Sequence, residues 1–246
     1  MTFSDDEIER YARHLVLAEV GGPGQQRLKS ARVGLIGLGG VGAPAALYLA
    51  AAGVGALRLI DDDTVALSNL QRQIAFDSAD LGRPKVEAGA GALTALNPHV
   101  RIETVADRLD GQNAARLLEG CDVVIDGTDD FATRFAVNAA CVGAGVPLVS
   151  GALGRWSGQV GVFASRPCYR CLVPAAPPDA ETCARVGVVG ALAGVVGSMA
   201  ALEAIKLIVG AGVPLTGRLL IYDGLAGTAR TVAMAADPSC PVCAPP

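Results

Sequence analysis

Nine residues, Gly34-Leu-Ile-Gly-Leu-Gly-Gly-Val-Gly42, restrict the fold of this chain more than any other stretch. Gly37, Gly39 and Gly42 satisfy G-x-G-x-x-G, a pattern that carries meaning only between a strand and a helix. Both neighbours are present. The apolar run 32–36 has the length of a buried strand, and the small and apolar residues of 41–52 have the length of a helix. Small side chains let the backbone approach a phosphate at a helix N-terminus. An acid placed about twenty residues on, where a ribose hydroxyl is held, is supplied by Asp61 at the end of a second apolar run, 57–61. The stretch therefore predicts a nucleotide-binding βαβ unit. It leaves the nucleotide open, because glycines meet phosphates and the acid meets a ribose, and ATP and NAD share both groups.

From that unit onward, strand-length and helix-length segments alternate. Strand 101–105, helix 111–118, strand 122–126, a helix from Phe131 to Ala144 and strand 147–150 follow the helix 84–96. Such alternation builds parallel strands through right-handed crossovers. After Gly151 the pattern changes, and strands 158–163, 218–223 and 230–234 follow one another without regular helices between them. The fold class expected is α/β: a Rossmann-like, mostly parallel twisted sheet with helices on both faces, extended by antiparallel strands in the C-terminal half. A single domain is expected over 1–246, with an N-terminal helical arm (1–30), a nucleotide-binding part (31–150) and an antiparallel extension (151–246). In the arm, Ser4 and Glu7 predict a capping box opening a helix 4–17, with Ile8, Tyr11, Ala12 and Leu15 as its apolar stripe. Gly21-Gly-Pro-Gly24 reads as a hinge that frees this helix from the sheet.

Composition excludes several classes. A chain of 246 residues that is 51% hydrophobic buries a sizeable core. Its net charge of -4, with no run of Lys or Arg, argues against a nucleic-acid surface. The opening Met-Thr-Phe-Ser-Asp-Asp lacks the basic and apolar regions of a secretory leader, which predicts a cytoplasmic protein with reduced thiols. No charge interrupts the chain between Arg185 and Glu203, yet Glu203 and Lys206 follow on the same helix, so 189–209 is expected to be a buried helix rather than a membrane span.

Further residues point to a triphosphate. Lys85 follows Pro84 at a helix start, where a cation is unfavourable unless an anion lies between, and Arg72 precedes it in Ser68-Asn-Leu-Gln-Arg-Gln73. At the end of the fourth parallel strand, Asp126-Gly-Thr-Asp-Asp130 offers Asp129 as a ligand for Mg²⁺ and Asp130 as a helix cap. Cys168-Tyr-Arg-Cys171 and Cys240-Pro-Val-Cys243 are two C-x-x-C pairs, a set that predicts one closed structural Zn²⁺ site of four thiolates. Cys121 and Cys141 lie within or beside apolar elements and read as core, and His14 and His99 as structural or surface residues.

Taken together, the glycine loop, Asp61, Ser68–Gln73, Pro84-Lys85, the Thr128-Asp129 turn and Ser150-Gly-Ala-Leu-Gly-Arg-Trp-Ser-Gly-Gln-Val160 resemble the MoeB/ThiF family, bacterial relatives of ubiquitin-activating enzymes, and look nearest its MoeB branch. The resemblance implies an adenylyltransferase that uses ATP and Mg²⁺ to activate the Gly-Gly carboxylate of a ubiquitin-like sulfur carrier, of molybdopterin or thiazole type. It implies that Gly40 meets the nucleotide, Asp61 the ribose, and Ser68, Asn69, Arg72 and Lys85 the phosphates, with Asp129 serving the metal. It also implies a homodimer in which Arg13 enters the partner's ATP site. Family members usually carry Asn where this chain has Asp130. Cys183, in the Pro-rich loop 174–187 beside Arg185, occupies the place where members that go beyond adenylation keep a nucleophilic cysteine, a role that differs among them. Two other readings stand beside this one: an ATP-using relative that activates another carboxylate, such as one on a tRNA nucleoside, and an NAD(P)-binding oxidoreductase or silent dinucleotide module.

Overall fold

The computed structural model describes residues 2–177 and 187–244. Its strands are β1 (Arg32–Ile36), β2 (Ala56–Ile60), β3 (Arg101–Val105), β4 (Val123–Asp126), β5 (Leu148–Leu153), β6 (Ser157–Phe163), β7 (Arg218–Asp223) and β8 (Thr228–Ala233). They form one eight-stranded sheet in the order β3-β2-β1-β4-β5-β6-β7-β8. β1 to β5 pair in parallel, and β6, β7 and β8 add on antiparallel, as the change of pattern after Gly151 predicts. In the 3-2-1-4-5 order of the parallel part, the direction of travel reverses between β1 and β4. A crevice opens there at the carboxyl ends of the strands.

Strand residues divide between two cores by alternation. Val33, Leu35, Leu57, Leu59, Val123 and Ile125 face one core, while Ile36, Ile60, Val124 and Leu148 face the other. Period two sends successive side chains to opposite faces, so strands covered on both sides read as unbroken apolar runs. α4 (Gly42–Ala51) and α5 (Lys85–Leu96) cover the first face, and α6 (Ala114–Leu117) and α7 (Phe131–Ala144) the second. The helix α8 (Gly190–Val209) is long and apolar enough to cross a membrane, but half of its apolar stretch is buried here. It crosses α4 at Gly197, where a Cβ would lie 2.4 Å from Pro44 Cγ and 2.5 Å from the Val41 carbonyl. The charge-free run in the sequence therefore records close helix packing.

The N-terminal arm departs from expectation. The capping box forms, with the Ser4 amide donating to Glu7 Oε2 at 2.9 Å and the Glu7 amide to Ser4 Oγ at 3.2 Å. The helix then breaks at Tyr11 into α1 (Asp5–Arg10) and α2 (Ala12–Leu15). Of the expected stripe only Tyr11 is buried; Ile8 and Ala12 are exposed, and the buried acid Glu7 instead meets Lys29 at 2.7 Å. The expected hinge is the first turn of α3 (Gly21–Ser30). Gln25, fully buried, donates to the Ala52 carbonyl at 2.8 Å and pairs with His14 Nδ1 at 2.9 Å, while Tyr11 Oη accepts from Asn97. A polar lock between buried partners thus fixes an arm that glycine content alone suggested was free.

Candidate active site

Backbone geometry fixes Gly37 and Gly42 in the glycine loop. Gly37 has φ +80°, and a Cβ on Gly42 would lie 1.8 Å from the Gly37 carbonyl oxygen. These contacts tuck the loop under the start of α4, whose cap residue Val41 provides no side-chain acceptor and whose first turn has no acid. The Ala43 amide donates to the Gly39 carbonyl at 3.0 Å and Pro44 has no N–H, so the amides of Val41 and Gly42 are the ones left for an external anion. Asp61 steadies the loop from the next strand. Its Oδ2 accepts from the Leu38 amide at 2.6 Å and its Oδ1 from the Asp63 amide at 2.9 Å. Burial raises the Asp61 pKa and outweighs the attraction of Lys85 and the two amide bonds.

Lys85 begins α5 and is buried, 5% exposed. Its Nζ reaches Asp63 Oδ2 at 2.6 Å and lies 3.9 Å from Asp61 Oδ1. Its placement at a helix N-terminus is therefore balanced by these carboxylates, a compensation the sequence argument assigned wholly to a bound phosphate. Arg72 donates to the Ser68 carbonyl at 2.9 Å, which holds its guanidinium side toward the cleft wall, and the Asn69 side chain accepts from the Ala66 amide. Beside them Gln73 is buried with its Oε1 unpartnered among the described residues.

Across the cleft, Asp130 caps α7 as expected, accepting from the Thr133 amide at 2.9 Å and hydroxyl at 2.8 Å, and from Arg108 at 3.2 Å. Burial alone would raise its pKa, but these donors together leave it lowered. Capping needs a short acceptor that either Asp or Asn provides, so the departure at Asp130 keeps the helix start intact. Asp129 is exposed to the cleft and makes no hydrogen bond or ion pair with a described residue. Its neighbour Thr128 is held by Asp126 and by Arg134, both buried.

One cleft of about 490 Å³ gathers Gly37, Gly39, Gly40, Asp61, Asn69, Arg72, Lys85, Asp129 and Asp130. Three expected residues lie outside its lining. Gly42 packs beneath the loop, Ser68 contributes its carbonyl to Arg72 from an exposed turn, and Arg13 lies on α2, exposed and without a hydrogen bond or ion pair to a described residue. Cys183 and Arg185 fall outside the described residues. Sequence reasoning missed Gln73, Arg108 and Arg134. Arg134 had a signal, as the only charged residue of the apolar stretch 131–144.

The four cysteines of the two C-x-x-C pairs converge, with all sulfurs within 4.8 Å of one another. Cys168 and Cys240 stand 3.6 Å apart and Cys171 and Cys243 3.4 Å, too far for disulfides. A tetrahedron with metal–sulfur arms of about 2.3 Å has edges of roughly 3.8 Å, so the set fits a closed four-thiolate metal site. Asn138 supports it by donating to Cys168 Sγ at 3.5 Å. Cys121 and Cys141 are buried as expected, and burial pushes the Cys141 thiol up to about 12.

Near-full-length relatives match this chain. The molybdopterin-synthase adenylyltransferase of Escherichia coli is 46% identical over 243 residues, covering 98% of each chain. The sulfur carrier protein adenylyltransferase of Thermus thermophilus is 44% identical over 252 residues, covering 99% of this chain and 93% of its own. The SAMP-activating enzyme E1 of Haloferax volcanii is 47% identical over 248 residues, covering 99% of this chain and 92% of its own. Among solved structures, Escherichia coli MccB has the same fold, with a TM-score of 0.84 over 99% of this chain and 74% of that one at 23% identity. A model of the ThiF family matches residues 11–242, spanning the glycine loop, the cleft and all but the last of the four converging cysteines, and the chain belongs to that family.

Proposed function

We propose that this protein is an adenylyltransferase that activates the C-terminal Gly-Gly carboxylate of a ubiquitin-like sulfur-carrier protein with Mg-ATP, forming an acyl-adenylate and releasing pyrophosphate. The observation that carries this reading is the cleft: an uncapped helix N-terminus, Lys85, Arg72 and the unpaired carboxylate of Asp129 face one space at the carboxyl edge of the sheet. The names of relatives that match it nearly end to end support the same chemistry.

In this reading Asp61 keeps a lone pair on each oxygen for the ribose hydroxyls after accepting its two amides. The amides of Gly39, Gly40, Val41 and Gly42 receive the phosphates. A carboxylate oxygen of the carrier attacks the α-phosphorus, and the bond to the bridging oxygen breaks with its electron pair leaving on pyrophosphate. Lys85 and Arg72 offset the charge that grows on that leaving group, so positioning and electrostatics supply the rate. A carboxylate is already ionised near neutral pH, and no general base is required. Asp129 fits Mg²⁺, which when bound supplies charge to the phosphate oxygens. Cys168, Cys171, Cys240 and Cys243 hold a structural Zn²⁺. The working form is a cytoplasmic homodimer in which Arg13 completes the partner's cleft. ATP–pyrophosphate exchange, measured with and without a carrier ending in Gly-Gly, tests the reading. Carrier-dependent exchange is expected; tight NADH binding without exchange overturns it.

A further inference from the structure

Thr128 has each of its polar atoms taken by a buried partner. Its amide and hydroxyl donate to Asp126 Oδ1 at 3.0 and 2.7 Å. Its carbonyl accepts from Arg134 Nε at 3.0 Å and again from Arg134 Nη2, which also donates to the Gly151 carbonyl at 2.9 Å. Asp126 is fully buried and Arg134 is 6% exposed. We propose that Arg134 is a positioning residue which, with Asp126, clamps Thr128 from both sides and thereby aims Asp129 into the cleft.

The placement of the clamp supports this role. Asp129 has no bond of its own to a described residue, so the backbone of Thr128 sets its direction. Gly151 lines the cleft on β5, and the glycine loop packs on the same threonine, since a Cβ at Gly37 would lie 3.1 Å from Thr128 Cγ2. One guanidinium therefore joins the Asp129 turn to β5, and through Thr128 to the glycine loop. A planar fork with fixed donors can serve two carbonyls on separate segments, whereas a lysine ammonium has no such fork. Stability alone does not account for the residue. A buried charge is weak evidence for stability, and apolar residues of similar volume often do as well. Asp126 Oδ2, moreover, is buried without a hydrogen-bond partner among the described residues, so this end of the clamp is not built for full satisfaction.

This inference rests on the adenylation reading for its consequence, and its test separates the two. Full-length Arg134→Lys and Arg134→Met are compared with wild type by melting temperature, by kcat, KM for ATP and Mg²⁺ requirement in pyrophosphate exchange, and by amide hydrogen exchange of the nucleotide-free protein over 126–134. In Arg134→Lys, kcat should fall roughly 100-fold, the loss expected for a misplacement of about 1 Å. The Mg²⁺ concentration for half-maximal rate should rise, the KM for ATP should change less than kcat, and protection should fall at 128–130 while the rest of the chain stays protected. Arg134→Met should deepen the same defects. An unchanged kcat and Mg²⁺ requirement, unchanged protection at 128–130, or a rate loss that follows a general loss of protection across the chain overturns the clamp. If wild type shows no exchange, the adenylation reading fails, and the hydrogen exchange of the two variants still decides whether Arg134 holds the turn.

Discussion

At the scale of single residues, the cleft sets opposite charges against one another and leaves the balance to the nucleotide. Lys85 sits with Asp63 at 2.6 Å and Asp61 at 3.9 Å, so a phosphate arriving there meets a cation partly neutralised. Lys85→Ala removes a phosphate donor and uncovers two carboxylates facing the incoming triphosphate. Its loss in exchange should match or exceed the roughly 100- to 1000-fold typical of one donor aimed at developing charge. Arg72→Ala, which uncovers no acid, should cost less, with both proteins melting near wild type. Exchange at the wild-type rate in either variant removes that residue from the phosphate site. These two residues were legible because a basic side chain in a glycine-loop context has few other uses. Gln73 was not, and the lone charge of Arg134 in 131–144 does not say what it holds, since a buried polar group is recognised by the partners that surround it. The two bonds from Arg134 to the Thr128 carbonyl join positions six apart, a link no helical or strand periodicity announces.

Elements carry a second ledger, written in charge across strands. Glu103 on β3 stands in register with Arg58 on β2 and receives its Nε at 2.9 Å, with Arg32 of β1 at 3.2 Å and Arg101 at 2.8 Å. Burial works against ionisation of Glu103, but the arginines, Arg58 first, outweigh it and hold its pKa below the ordinary value. A carboxyl depressed in the folded state adds stability above its unfolded pKa, and that stability is lost as pH falls through the folded value. Wild type should therefore lose stability more steeply than Glu103→Gln on acidification below about pH 4.5, the range in which an unperturbed glutamate titrates. Parallel denaturant midpoints across that range check it, and equal slopes would remove the cluster from the account. Strand existence and order of type were readable from the apolar runs, while α3 was not. Gly21-Gly-Pro-Gly24 opens that helix because Leu28 buries in the first core and Gln25 against the end of α4, a tertiary gain that overrides weak local propensity.

For the whole molecule, the cysteine centre and the dimer make separate demands. One Zn²⁺ per chain is expected by elemental analysis, and because it ties 240–243 to 168–171, chelation should lower the melting temperature more than it weakens nucleotide binding. A metal-free preparation of full stability overturns that assignment. The dimer is tested by mixing. Arg13 lies outside its own cleft, and the arm that bears it is locked to its own subunit through Gln25 and Tyr11, so it cannot swing inward as a free hinge would allow. If Arg13 acts, the cleft of a second copy must come to it, and the exposed Val16 and Leu17 beside it give that copy an apolar surface to cover. Arg13→Ala and Lys85→Ala should then each be nearly inactive, yet complement one another. In a mixed dimer, the Arg13 of the Lys85 variant meets the Lys85 of the Arg13 variant in one whole site, while the other site lacks both. Random exchange makes about half the dimers mixed, each with one of two sites intact, so roughly a quarter of wild-type activity should return. If tagged subunits exchange and no activity returns, Arg13 has no role across an interface, and the exposed end of the arm needs another partner.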